Sequence, residues 1–199
     1  MQTAIVAGGC FWCLEAVFSS LKGVVAVKSG YTAGHTEQPT YAQVCTGNTG
    51  HTEAVKIDFD DHSISYADIL NIFFAIHNPT TLNRQGHDVG TQYRSGIYYF
   101  DEAQHAAAQA AIAQAQTEHA EPIVTELQAA SAFYPAESEH DDYFRLHPYQ
   151  GYCQMVIAPK VLHARDEFAQ FWRQDCCHKR QFAVQLRRFD TLEQHAHLP

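Results

Sequence analysis

The chain opens on an uninterrupted apolar run, Thr3 to Ala7, bounded by Gly8-Gly9, which is the pattern of a short buried strand. From Cys10 the period changes. Leu14, Val17, Phe18 and Leu21 recur at i, i+3, i+4 and i+7, one face of a helix that Gly23 stops, so Cys10 falls at a helix N-terminus. Gly23 to Tyr31, with Val24, Val25 and Val27, reads as a second strand. It feeds a turn-rich polar stretch from Gly30 to Gly50, long enough to be a functional loop. Alternation returns over Glu53 to Asp60, where Val55, Ile57 and Phe59 interleave with Lys56, Asp58 and Asp60, the period of a half-buried strand. Ser65-x-x-Asp68 has the form of a capping box ahead of Ile69, Ile72, Phe73 and Ile76, the core stripe of a second helix ending near Pro79.

A second polar loop covers residues 80–93, and Arg94 to Phe100 reads as strand. Asp101-x-x-Gln104 caps an Ala-rich helix to about Glu118, and Pro122 to Gln128 is another strand carrying Ile123, Val124 and Leu127. Glu137 to His147 reads as a short helix and Gln150 to Ala158 as loop and apolar run, while Val161, Phe168 and Trp172 mark a last amphipathic helix. Helices and strands mix without strict alternation. The expected fold is therefore α+β: a two-layer sandwich of helices packed on a mostly antiparallel or mixed sheet, with a ferredoxin-like core and extensive loops. No repeat or Gly/Ser linker divides the chain, which reads as one catalytic domain over residues 1–175 and a compositionally distinct C-terminal extension over 176–199.

Composition sharpens this picture at the cysteines. A chain of 199 residues with 46% hydrophobic side chains buries roughly 70% of its unfolded surface and needs no disulfide framework, yet it carries six Cys. The formal charge of −9, with Lys and Arg scattered except near Lys179, Arg180, Arg187 and Arg188, argues against nucleic acid as a partner. No apolar run has the length to cross a bilayer, and Met1 to Gly9 has no basic n-region, so no membrane is expected. The expected compartment is the reducing cytoplasm, where thiols stay free.

Gly8-Gly9-Cys10-Phe11-Trp12-Cys13 concentrates the chemistry. At a helix N-terminus the unpaired N–H groups and the positive end of the dipole favour thiolate, which would lower the Cys10 pKa, and the glycines would let a substrate approach the backbone. Cys10 is thus a candidate nucleophile. Cys10-x-x-Cys13 also has the spacing of a redox pair, although Cys13 equally suits a small buried hydrophobe. The first loop and its strand supply Tyr31, Tyr41, His51 and Glu53; the second supplies His87, Asp88, Gln92 and Tyr93. A carboxyl among aromatics can hold its proton at neutral pH and act as an acid, and tyrosine hydroxyls donate without charge.

Gly8 to Trp12, Gly30-Tyr31-Thr32-Ala33-Gly34, Pro39-Thr40-Tyr41, Gly50 to Val55, Asp88 to Ser95 and Gly151-Tyr152-Cys153 together resemble the A-type peptide methionine sulfoxide reductases, collinearly from about residue 3 to 160. The resemblance implies reduction of methionine S-sulfoxide, free or peptide-bound. Cys10 would attack the sulfoxide sulfur, a protonated Glu53 with Tyr41 and Tyr93 would protonate the oxygen, Asp88 would order that pocket, and Phe11 and Trp12 would cup the S-methyl group. No bound cofactor is implied. Cys10 sulfenic acid would condense with a second thiol to a disulfide that thioredoxin, as external dithiol, reduces.

The second thiol is open among Cys153, placed first by the family position, Cys13, and the vicinal Cys176-Cys177. Cys45 reads as packed or incidental, and Cys176-Cys177-His178 with His195 and His197 makes a poor metal site, so no metal is expected. The competing readings are a general Cys-x-x-Cys disulfide oxidoreductase, which would not need Glu53, and a binding module acting through the tail.

Overall fold

The first apolar run forms β1 (Gln2–Gly8), and Ala4 to Ala7 are buried on both faces because the strand lies inside the sheet. The computed structural model describes residues 1–174. After β1 come α1 (Phe11–Phe18), β2 (Val24–Thr32), α2 (Tyr41–Cys45), β3 (Thr52–Phe59), α3 (Tyr66–Ala75), β4 (Arg84–Gln85), β5 (Asp88–Val89), β6 (Ser95–Tyr99), α4 (Glu102–Gln116), β7 (Glu126–Ala129), β8 (Tyr134–Pro135), α5 (Tyr143–Leu146) and α6 (Ala158–Glu167).

Six strands form one sheet in the order β7-β6-β1-β3-β2-β8, antiparallel throughout except for the parallel pair β6 and β7. Its centre, β6-β1-β3-β2, is built by β1-α1-β2 followed by β3-α3-β6, two split β-α-β units. The expected α+β sandwich is thus present, with a mixed sheet. The period-2 pattern of β1 divides the core: Ala4 and Val6 face the helices with Leu14, Val17, Phe18, Ile69 and Phe73, while Ile5 and Ala7 pack with Ala54, Tyr98 and Phe133 on the other face. No helix among the described residues is long and apolar enough to cross a membrane.

Both expected caps form. Ser65 Oγ accepts the Asp68 N–H at 3.1 Å while the Asp68 carboxylate accepts the Ser65 N–H at 3.0 Å, and Asp101 accepts the Gln104 N–H at 2.8 Å.

The loops hold more structure than the sequence pattern suggests. Residues 30–50 contain α2, started by a capping box in which Thr40 and Gln43 exchange hydrogen bonds. Residues 80–93 contain the β4–β5 ribbon and a 3₁₀ turn over Thr91–Tyr93. The strand expected from Pro122 begins only at Glu126, because the Ile123 and Val124 N–H groups donate to Gln116 and to the Pro79 carbonyl instead of a sheet neighbour. The expected helix over Glu137 to His147 is divided into a 3₁₀ turn, Ser138–His140, and α5, because Asp142 between them is left-handed at φ 52°. The stretch expected as loop before α6 is helical. A π turn over Cys153–Ile157 runs into α6, and it forms where Pro159 has no N–H to close an α turn onto Met155. Cys176, Cys177, His178, His195, His197 and the 176–199 extension lie outside the described residues.

Candidate active site

Everything at this site is arranged around the start of α1. Cys10 is its N-cap, with extended backbone (φ −60°, ψ 126°) and 8% exposure. Beside it, Phe11 donates its backbone N–H to Glu53 Oε2 at 3.0 Å. Glu53 enters from β3, paired in register with Tyr31 of β2, so the sheet holds the carboxyl against the free N–H groups of the helix. The carboxyl is 1% exposed. Burial pushes its pKa up to about 8; the Phe11 N–H pulls it down, while Asp88 and Cys13 add repulsion. Glu53 is therefore mostly protonated at neutral pH.

Cys10 departs from the expectation of a lowered pKa. Burial raises it well above the ordinary thiol value, its hydrogen bond to Cys13 and the nearby Glu53 raise it further, and only the Trp12 backbone N–H opposes them. The thiol holds its proton at rest. The glycines also differ from expectation. A Cβ on Gly8 would lie 2.9 Å from Phe73, and one on Gly9, where φ is +90°, would lie 2.6 Å from Gln85. Side chains of the protein, not a substrate, occupy that space.

Tyr41 from α2 and Tyr93 from the 3₁₀ turn both stand close enough to Glu53 to feel its charge, and Tyr93 also feels Cys10 and Asp88. Burial raises both phenols, which stay protonated and able to donate. Asp88 accepts the Tyr152 hydroxyl at 2.6 Å. Phe11 is fully buried, with its ring centroid 6.3 Å from Trp12, 6.4 Å from Tyr41 and 5.2 Å from His140. Trp12 lies flat on Tyr143 at 3.7 Å and 5°, with Tyr152 edge-on at 6.1 Å. Cys10, Glu53, Tyr41, Tyr93, Asp88, Phe11 and Trp12, dispersed over 84 positions of sequence, thus meet at one place.

The remaining candidates divide. Tyr31 donates to Glu137 at 2.9 Å, and Glu137 also accepts the Tyr41 N–H at 2.8 Å, so the pair anchors α2. His51 is buried with Nε2 on the Thr36 carbonyl at 2.7 Å, Gln92 packs against Gly90, and His87 is exposed. Cys153 is fully buried in the π turn and feels the charge of Cys13. Cys45, expected to be packed or incidental, is exposed and takes the Tyr41 hydroxyl as a hydrogen-bond donor at the margin of the site.

Sequence reasoning missed Glu137, His140 and Tyr143, spaced three apart in an acidic segment whose charge hides their inward face, and Tyr152, which sits inside a quoted motif. The His140 ring is buried, and neither nitrogen has a hydrogen-bond partner.

The profile of the family described as Peptide methionine sulfoxide reductase matches residues 2–173. The peptide methionine sulfoxide reductase MsrA of Pasteurella multocida is 55% identical over 172 residues, 86% of this chain and 99% of that protein. Among solved structures, reduced Mxr1 from Saccharomyces cerevisiae superposes with a TM-score of 0.73 at 30% identity, covering 76% of this chain and 88% of its own. Methionine sulfoxide reductase A of Corynebacterium diphtheriae gives 0.69 at 32%, covering 75% and 76%. Mxr1 has also been solved in complex with Trx2. With a match that spans the whole of the sheet and every element around Cys10, the chain belongs to the peptide methionine sulfoxide reductase family, in its MsrA branch.

Proposed function

We propose that this chain reduces methionine S-sulfoxide, free or in proteins, to methionine, and that the protonated Glu53 carboxyl beside the Cys10 thiol is the feature that makes it possible. Sulfoxide oxygen leaves only when protonated, and an ionised carboxylate would repel the charge that builds on it. Glu53 supplies the proton, with the Tyr41 and Tyr93 hydroxyls donating to the same oxygen, as Cys10 sulfur attacks the sulfoxide sulfur. The sulfur–oxygen bond of the substrate breaks, the oxygen passes to Cys10 as sulfenic acid, and the Cys10 proton restores Glu53. Methionine sulfoxide is reduced by two electrons and Cys10 is oxidised by two. Phe11 and Trp12, with Tyr143 behind Trp12, form an apolar wall suited to the S-methyl group.

The oxidising equivalent passes to a second thiol as a disulfide. An external dithiol then reduces it, thioredoxin by the example of the yeast relative, so the protein carries its redox equivalents on its own cysteines and needs no bound cofactor. The activity is cytoplasmic protein repair under oxidative stress.

The test is reduction of methionine sulfoxide by purified protein with thioredoxin, its reductase and NADPH. Cys10→Ser abolishes it; a Cys10→Ser protein with full activity would end the proposal. Insulin-disulfide reduction that survives Glu53→Gln, without sulfoxide reduction by the unaltered protein, would instead establish a general dithiol oxidoreductase.

A further inference from the structure

Cys13 lies one helical turn inside Cys10, its N–H donating to the Cys10 carbonyl at 3.1 Å, and the two thiols share a hydrogen bond. Positions three apart at a helix start have Cα atoms about 5 Å apart, inside the span a disulfide bridges without backbone movement. No rearrangement of α1 is needed for these sulfurs to join. The two other described thiols are held by other partners. Cys153 is sealed in the π turn at 0% exposure with Cys13 as its thiol neighbour, and Cys45 is tied to the Tyr41 hydroxyl.

The surroundings of Cys13 also differ from those of Cys10. Lys160, in the first turn of α6, places its cation near enough to Cys13 to stabilise negative charge there, and among the described residues no carboxylate pairs with it. The Tyr152 hydroxyl, which donates to Asp88, is also within hydrogen-bond reach of Cys13 and can turn its one proton to that sulfur when the sulfur carries charge. Hydrogen bonding from Cys10 lowers the Cys13 thiol, burial and the charge of Asp88 oppose this, and Lys160 and Tyr152 reinforce it.

We propose that Cys13, not Cys153, captures oxidised Cys10. The proposal rests on the sulfoxide reductase reading above. The Cys13 thiolate attacks the sulfur of the Cys10 sulfenic acid, the sulfur–sulfur bond forms, the sulfur–oxygen bond breaks, and hydroxide leaves as water with a proton from Glu53 or solvent. No electrons enter or leave the protein until the external dithiol arrives. The disulfide would lie at the start of α1, at the most exposed of the three buried thiols.

The full-length chain is mixed with excess methionine sulfoxide without reductant, quenched in acid, alkylated and mapped by mass spectrometry. The expected result is a Cys10–Cys13 link that persists in Cys153→Ala and Cys45→Ser. Cys13→Ser still forms methionine in a first turnover but stops at a Cys10 sulfenic acid that a cyclic dione traps. A link from Cys10 to Cys153, Cys45 or a tail cysteine in the unaltered protein overturns the proposal. Absence of any methionine would instead overturn the sulfoxide reductase reading.

Discussion

At the scale of single residues the decisive contest is between burial and the helix N-terminus. A helix end stabilises an anion by roughly 0.3–1 kcal/mol, up to about 2 in partly buried sites, whereas taking a charge out of water moves a pKa by up to about 3–5 units. Burial wins at both Cys10 and Glu53. The sequence allowed Cys10 to be placed on a helix end and Glu53 on a strand, because glycine punctuation and alternation are local signals. It did not reveal how deeply either is buried, which depends on Tyr41, Tyr93 and Tyr152 arriving from segments up to 142 positions away. The proton on Glu53 gives a test. Glu53→Gln keeps an acceptor for the Phe11 N–H but loses the acid, and should lower the first-turnover rate by about 10²–10⁴ with little change in KM. In the unaltered protein the same rate falls above about pH 8 as Glu53 ionises. A Glu53→Gln protein with the ordinary rate, measured by rapid quench, would show that another group protonates the oxygen.

At the scale of elements, the ones the sequence pattern missed are those under two turns long, where no apolar period can repeat. Helix α2, which the pattern missed, delivers Tyr41, and α5, half of the helix expected over Glu137 to His147, delivers Tyr143; each is fixed by a carboxyl from elsewhere in the chain. Glu137 holds the first N–H of α2, and Glu15 of α1 accepts the Asp142 and Tyr143 N–H groups at the start of α5. Glu15 is 5% exposed, one turn from Trp12, so α1 carries both the Trp12 ring and the cap that brings Tyr143 onto it. Glu15 is therefore a positioning residue. Glu15→Ala should cost about 0.5–2 kcal/mol of stability as a lost cap and raise KM for methionine sulfoxide about tenfold while kcat is largely kept. Glu15→Gln, whose amide oxygen still accepts, should restore KM. Trp12 emission in a Trp172→Phe background reports whether Tyr143 has left the ring. An unchanged KM and emission in a folded Glu15→Ala protein would show that α5 stands without the cap.

At the scale of the whole molecule, the two-layer α+β arrangement follows from patterns that were legible, but the pH dependence of stability follows from three buried groups that were not. His77 donates from Nδ1 to the Phe73 carbonyl at 2.6 Å and accepts at Nε2 from Ser95 at 2.8 Å, so it is built into the core as the neutral ring. Burial lowers its pKa to about 3. Between about pH 3 and 6.5 the unfolded chain binds this proton and the folded one does not, so His77 makes stability rise with pH. Glu53 and Glu15 act with the opposite sign. Burial raises them to about 8 and about 7, so between pH 4.5 and those values the folded state holds protons the unfolded state has lost. Each then lowers stability as pH rises, by about 1.4 kcal/mol per unit across its window. Above pH 6.5 the His77 contribution has levelled off and the Glu53 contribution continues to fall. Urea unfolding of the unaltered chain and Glu53→Gln at pH 6 and pH 8 isolates it, because groups that do not interact with Glu53 cancel in the double difference. The unaltered protein should lose about 2 kcal/mol more than Glu53→Gln over that interval. Equal losses would mean that Glu53 is already ionised at pH 6, and with it the acid that the sulfoxide oxygen requires.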